Sequence, residues 1–182
     1  MHINKFSPMM LLVLLSLLFT QYSFADAATE LDAKVNTAIE KFKKEIDGGA
    51  GFLTKVKGYL VFPSVIKVGL IVGGKYGEGA LRVNGETKNY YSMTSASIGW
   101  QAGAQEHSMV IAFLSDTALN NFVVSNGWEA DIDGSIVVSD WGASKDIGSI
   151  SFEKPIIAFI YGEQGLMGSV SVGGTKFQKI IP

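Results

Sequence analysis

From Gly51 to Pro182 the chain is a succession of short apolar runs, rich in β-branched and aromatic residues and punctuated by glycine. Runs of this length and composition read as strands joined by turns. The strongest local signal is Asn84-Gly85, because both residues accept the positive φ that a two-residue hairpin requires. Around it we expect strands at Tyr59–Phe62, stopped by Pro63, at Lys67–Lys75, at Gly79–Val83 and at Lys88–Met93. Further strands are expected at Ser95–Ala104, Ser108–Phe113, Ser135–Val138, Ile156–Tyr161, Leu166–Val172 and Lys176–Ile181. One segment breaks the pattern. Leu119, Phe122 and Val123 sit at helical spacing between a candidate N-cap, Ser115, and the terminator Asn126-Gly127.

Gly69, Gly73 and Gly77 are four residues apart, which on one strand places them on one face. A bare glycine face lets a sheet bend or another backbone approach. The expected architecture is therefore α+β and β-rich: a strongly bent antiparallel sheet or half-closed barrel, with an N-terminal amphipathic helix and one short helix.

The amphipathic helix is expected over about 18 residues from Thr29, with Thr29 as N-cap and Asp32 as its partner. Leu31, Val35, Ala38, Ile39, Phe42 and Ile46 recur at spacings of three and four, and Gly48-Gly49 ends the run.

Ahead of it, Lys5 and the apolar run Met9–Phe19 lead to Ala25-Asp26-Ala27. That order of basic start, short apolar stretch and small-x-small site is a secretory signal. The apolar run falls short of the roughly 18 residues of a transmembrane helix. We expect residues 1–27 to be a signal peptide, with cleavage after Ala27 favoured over Ala25. Residues 28–182 would then form a single exported domain, periplasmic or secreted. With no twin arginine before the run and no cysteine after it, the general secretory route fits and a lipoprotein anchor does not.

No cysteine occurs anywhere, so thiol chemistry, disulfides and cysteine-based metal sites are excluded, and the core alone must hold the fold. Charge is unevenly spread. Residues 28–100 carry ten Lys/Arg and seven Asp/Glu, while residues 101–182 carry four and nine. The first half suits an anionic surface. Nucleic acid is not expected as a partner, since its binders show a stronger basic excess.

Gly69–Lys75 copies most of a phosphate-binding loop, but Tyr76 stands where Ser or Thr must reach magnesium, and a strand follows where a helix should begin. We expect no nucleotide and no cofactor. Glu129, Asp131 and Asp133, with Asp140 at the twelfth position, resemble a calcium loop; β-branched residues 136–138 inside it favour an acidic turn instead. Beyond the signal the one histidine is His107, which reads as a turn residue between strands, and no G-x-S-x-G nucleophile elbow occurs. An enzyme is not expected. The lysines of the helix, Lys41, Lys43 and Lys44, and those that follow it form the basic cluster. They fit either a solvated helix face or contact with anionic headgroups.

Several blocks then resemble the SYLF domain family. They are Lys57-Gly58-Tyr59-Leu60-Val61-Phe62-Pro63, Val65-Ile66-Lys67-Val68-Gly69, and Gly73-Gly74-x-Tyr76-Gly77-x-Gly79. Further along, Tyr91–Ser97 with Ile98–Gln105, Val110–Phe113, Ala118–Phe122 and Gly165–Ser171 follow in the family's order. The resemblance spans about Thr29 to Ile181 and identifies a bacterial exported member. It implies a lipid-binding module, whose eukaryotic relatives bind phosphoinositides and in some cases actin. By position it carries headgroup contact to Lys57, Lys67 and Lys75, beside Lys41 and Lys44 of the helix. The acidic segment Trp128–Asp133 departs from the family pattern and argues against an anionic ligand at that end. Actin is not expected as a partner of an exported chain. The expected function is a non-catalytic domain of the cell envelope that binds lipid or an anionic membrane surface. The competing expectation is a structural or protein-interaction module with no lipid site; an envelope hydrolase stands as an outlier.

Overall fold

The computed structural model describes residues 8–69, 72–98, 105–125, 127–138, 154–162, 165–166 and 172–182. Helix α1 runs from Pro8 to Glu45, not from Thr29. Nothing between Met9 and Glu45 is glycine or proline, so no residue interrupts helix propagation, and Thr29 lies inside the helix instead of capping it. Among the described residues no helix is long and apolar enough to cross a membrane. The expected stripe of Leu31, Val35, Ala38, Ile39, Phe42 and Ile46 is buried throughout. Gly48, at φ 75°, ends the helical path. A one-turn helix that the sequence did not signal, α2 (Gly49–Leu53), follows and buries Phe52 and Leu53. Two of its five residues are glycine, so packing holds it: the Phe52 ring meets Phe159 at 5.3 Å.

Among the described residues nine strands follow: β1 (Gly58–Gly69), β2 (Val72–Val83), β3 (Glu86–Ile98), β4 (Gln105–Phe113), β5 (Trp128–Glu129), β6 (Val137–Val138), β7 (Ile156–Gly162), β8 (Gly165–Leu166) and β9 (Lys176–Ile180). Helix α3 (Asp116–Val124) stands where expected, and the Ser115 hydroxyl accepts the Ala118 N–H at 3.2 Å. The strand order is β5-β9-β3-β2-β1-β4-β7-β6, with β8 also on β7. This order forces the sheet to curl. Its end strands, β5 and β6, are separated in sequence only by residues 130–136. Seven flat inter-strand gaps would span about 34 Å, whereas that connection reaches at most about 28 Å. The sheet accordingly bends into the expected half-barrel.

Asn84 (φ 53°) and Gly85 (φ 83°) form the two-residue turn between β2 and β3. The run Lys67–Lys75 is not one strand. The chain reverses within it, pairing Lys67 with Lys75 and Gly69 with Gly73. The three spaced glycines still share a face, but across a hairpin. Ser95–Ile98 continues β3, and residues 99–104 and 167–171 of two expected strands lie outside the described residues.

Pro63 does not stop β1. A bulge between Val61 and Ser64 takes the proline out of the ladder to β2, and a matching shift does so toward β4, so its missing N–H costs no hydrogen bond. Its carbonyl accepts the Ser108 hydroxyl at 2.8 Å. Across from the bulge, β2 carries Gly77 and Gly79. A Cβ on Gly79 would run into the Val61 carbonyl oxygen and the Phe62 ring.

The two sheet faces bury different cores. The inner face packs Leu60, Phe62, Val65, Met93 and Met109 beneath Phe122, Trp128 and Phe177. The outer face packs Val61, Ala80, Val110, Phe159 and Tyr161 against α1. Asp32 fixes α1 in place, accepting from Arg82 (3.2 Å), Thr87 (2.8 Å) and Tyr90 (3.0 Å). Farther along α1, the Tyr161 hydroxyl donates to the Ala38 carbonyl at 2.9 Å.

Gly79→Ala is expected to destabilise the fold by about 1–3 kcal/mol, the usual cost of overpacking. Gly74→Ala, whose Cβ would meet its nearest neighbour at an ordinary 3.7 Å, should stay within about 0.5 kcal/mol of the parent. Urea midpoints of the two variants check this.

Candidate functional site

The five lysines expected to touch headgroups do not form one cluster. Lys41 and Lys44 ride on α1, where Lys41 lies 4.0 Å from Glu45 and neighbouring Lys43 is 2.8 Å from Glu40. Lys57 precedes β1 and pairs with Asp116 of α3 at 3.2 Å. Exposed pairs of this kind contribute about 0–1 kcal/mol. Lys67 lies at the other end of β1, roughly 30 Å of strand away.

Lys67 and Lys75, by contrast, are brought together as directly opposed residues of β1 and β2. Alternation from Val65 and Gly77 places both on the inner face. Immediately below them runs an inner row of Phe177, Met93, Gly77, Val65 and His107, continuous across β9, β3, β2, β1 and β4. The carboxylates of these same strand ends, Glu78 and Glu106, are exposed and alternate to the outer face. The open end of the half-barrel is thus cationic within and acidic without.

His107 is a strand residue of β4, not a turn residue. It lies opposite Val65 and is only 5% exposed. Burial, with Lys75 and Lys67 nearby, lowers its pKa to about 4, so the imidazole is neutral at pH 7. Burial and Lys67 also lower the pKa of Lys75. The sequence around His107 hid this environment because Glu106 and Ser108 flank it. Only the register with β1 shows that it points inward.

The calcium candidates are engaged elsewhere. Glu129 lies 3.3 Å from Lys176, and Asp133 accepts the Glu129 N–H at 2.7 Å, closing a tight turn. Asp131 holds the turn at φ 72°, and Asp140 lies outside the described residues. Among the described residues no group of three His, Cys, Asp or Glu is placed to hold a metal. The segment acts as the bridge between the two sheet edges, with Gly134 tucked against the Trp128 ring.

A cleft of about 360 Å³ opens on the outer side between α1 and the C-terminus, lined by Glu30, Leu31, Lys34, Glu78 and Ile181 among others. Lys34 there pairs with Glu30 at 2.7 Å. With two carboxylates and one paired lysine, it does not suit an anion.

His107 carries a pH dependence of stability. Its folded pKa of about 4 lies below the ordinary 6.5, so the unfolded chain binds the proton first. Stability is unaffected by this group above pH 6.5 and falls as pH drops from 6.5 toward 4, by on the order of 3 kcal/mol in full. His107→Gln should lose this component while keeping that of the carboxylates. Unfolding free energies of both proteins across pH 4–7.5 are expected to diverge, and parallel curves would contradict a buried neutral imidazole.

Residues 94–179 match the Ysc84 family model, described as Las17-binding protein actin regulator. No curated protein matches the chain. The matched segment begins near the end of β3 and runs through β4, α3 and β7 to β9. It supplies His107 and most of the inner core, while Lys67 and Lys75 precede it. The match covers just under half of the chain and agrees with the SYLF-type blocks that the sequence carries.

Proposed function

We propose that this protein is an exported, non-catalytic domain of the cell envelope that binds lipid at an anionic membrane surface. The observation that carries this reading is the inward lysine pair Lys67–Lys75 at the end of the half-barrel. The inner face below it is filled by side chains, with Phe62 and Val65 fully buried and Met93 2% exposed. A lipid would therefore be met at its headgroup, not swallowed by its acyl chain. Export rests on the apolar run Met9–Phe19 and the Ala25-Asp26-Ala27 site that follows it. The family description speaks of an actin regulator; outside the cytosol actin is not within reach, so the lipid side of the family is the one we carry over.

One observation favours the competing reading, a protein-interaction module. On the outer face of the same hairpin Ile66 and Tyr76 are directly paired and exposed at 45% and 49%, beside Glu78 and Glu106. A mixed apolar and acidic patch suits a protein partner better than an anionic bilayer.

Vesicle co-sedimentation separates the two. The protein is expected to pellet with phosphatidylglycerol vesicles and not with phosphatidylcholine alone, more weakly as salt rises. At about 1 kcal/mol per lysine near such a surface, Lys67→Glu with Lys75→Glu should weaken binding at least tenfold. Absence of binding to either vesicle at low salt would sink the lipid reading.

A further inference from the structure

The outer face of the sheet is covered by α1 only as far as the bulge at Pro63. Beyond it one row of side chains crosses five strands in continuous register: Lys176 on β9, Thr94 on β3, Tyr76 on β2, Ile66 on β1 and Glu106 on β4. All of them are exposed. The middle of the row is apolar, with Ile66 and Tyr76 directly opposed. Exposed apolar residues are ordinary when scattered singly. Here an aromatic and a β-branched residue lie side by side on the two central strands of the sheet. The Tyr76 hydroxyl donates to Glu78 at 2.5 Å, which fixes the orientation of the ring before anything binds. A tyrosine so held offers apolar contact area at little cost in side-chain entropy. The surroundings are acidic. Glu106 ends the row, Glu78 flanks Tyr76, and among the described residues neither carboxylate forms an ion pair. The cations at the margins are committed elsewhere: Lys176 lies 3.3 Å from Glu129, and Lys34, in the cleft that Glu78 also lines, lies 2.7 Å from Glu30.

We propose that the Ile66–Tyr76 face, flanked by Glu78 and Glu106, docks a segment of another protein that carries basic side chains around an apolar anchor. The anchor seats on Ile66 and the Tyr76 ring, and its lysines or arginines meet the two carboxylates. An arginine there can also lie over the tyrosine ring. An anionic bilayer would meet the same carboxylates and be repelled. A second copy of the chain would set Glu78 and Glu106 against their own equivalents, with both marginal lysines already paired. The site is independent of the lipid reading, which concerns the inner face, and it rests on the protein-interaction reading above, to which it gives a partner class.

The test titrates the full chain against three labelled peptides of equal length, read by fluorescence anisotropy. One peptide is built of lysine and leucine at helical spacing, one has glutamate in place of lysine, and one has serine in place of leucine. The lysine–leucine peptide should bind about tenfold or more tighter than either of the others, and more weakly as salt rises. Ile66→Thr with Tyr76→Thr, which keeps strand-forming residues at both exposed positions, should weaken that binding about tenfold. Glu78→Gln with Glu106→Gln should do the same while leaving the apolar pair in place, and should melt with the parent, which separates loss of the site from loss of the fold. Glu40→Gln with Glu45→Gln, on α1, should change binding by less than twofold. Equal binding of the glutamate peptide, unchanged binding in either double variant of the patch, or an equal loss from the α1 variant would overturn the site. A concentration-dependent dimer in sedimentation equilibrium that the threonine variant abolishes overturns it by making a second copy the occupant. Pelleting with phosphatidylglycerol vesicles that falls in the threonine variant overturns it by giving this face to the membrane. Peptide binding without vesicle binding supports the site and sinks the lipid reading. Vesicle binding without peptide binding overturns the site and leaves the lipid reading standing.

Discussion

The central strands of this protein are buried on both faces, and the rest of the structure follows from that constraint. Along β1, β4 and β7 successive residues alternate between two cores, so Leu60 faces the interior of the half-barrel and Val61 faces α1. In β7 every residue from Ile156 to Tyr161 is buried. A one-residue slip would exchange the two sets of side chains. Register is therefore pinned at each pair, and α1 must cover the outer face. The sheet must also curl so that α3, Trp128 and Phe177 can close the inner one.

The bulge at Pro63 marks where this double burial ends. Before it, β1 residues are enclosed on both sides. After it, the outer face carries exposed Ile66, Tyr76, Glu78 and Glu106, and the inner face gives way from Val65 to Lys67. The bulge costs no ladder hydrogen bond because it falls on a residue with no N–H to offer, and Gly77 and Gly79 make room for it on β2. The fold thus has a densely packed end, where stability resides, and an open end whose charged side chains are free of that packing requirement.

Much of this was legible along the chain. The helical stripe from Leu31 to Ile46, the Asn84-Gly85 hairpin, the Ser115 cap and the curled β-rich architecture all rest on local rules of period, φ and hydrogen bonding, and the structure keeps them. The misreadings were equally local. Pro63 reads as a strand terminator because a bulge on a central strand depends on two neighbours that sequence does not display. Lys67–Lys75 reads as one apolar strand because no proline, Asn-Gly or Asp-Gly interrupts it. His107, flanked by Glu106 and Ser108, reads as a turn residue because a single inward polar side chain carries no periodic signal. The helix start at Thr29 failed for a different reason: a good N-cap residue does not end a helix already propagating through Ala27-Ala28.

By itself the sequence determined the buried stripe of α1, the Asn84-Gly85 hairpin and the position of α3, that no cysteine chemistry is available, and that the architecture is β-rich and bent. It also supplied the blocks that resemble the SYLF family. Composition marked the first half as basic, but could not say which of its lysines meet. Only the tertiary structure decided that, by pairing β1 with β2 so that Lys67 and Lys75 oppose each other on the inner face. The lysines of α1 were sent to the far side of the same sheet. The physical reason is that side-chain alternation has a period of two, whereas register is set by bulges and turns tens of residues apart. Which charges share a face is therefore a property of strand pairing and not of any stretch of sequence.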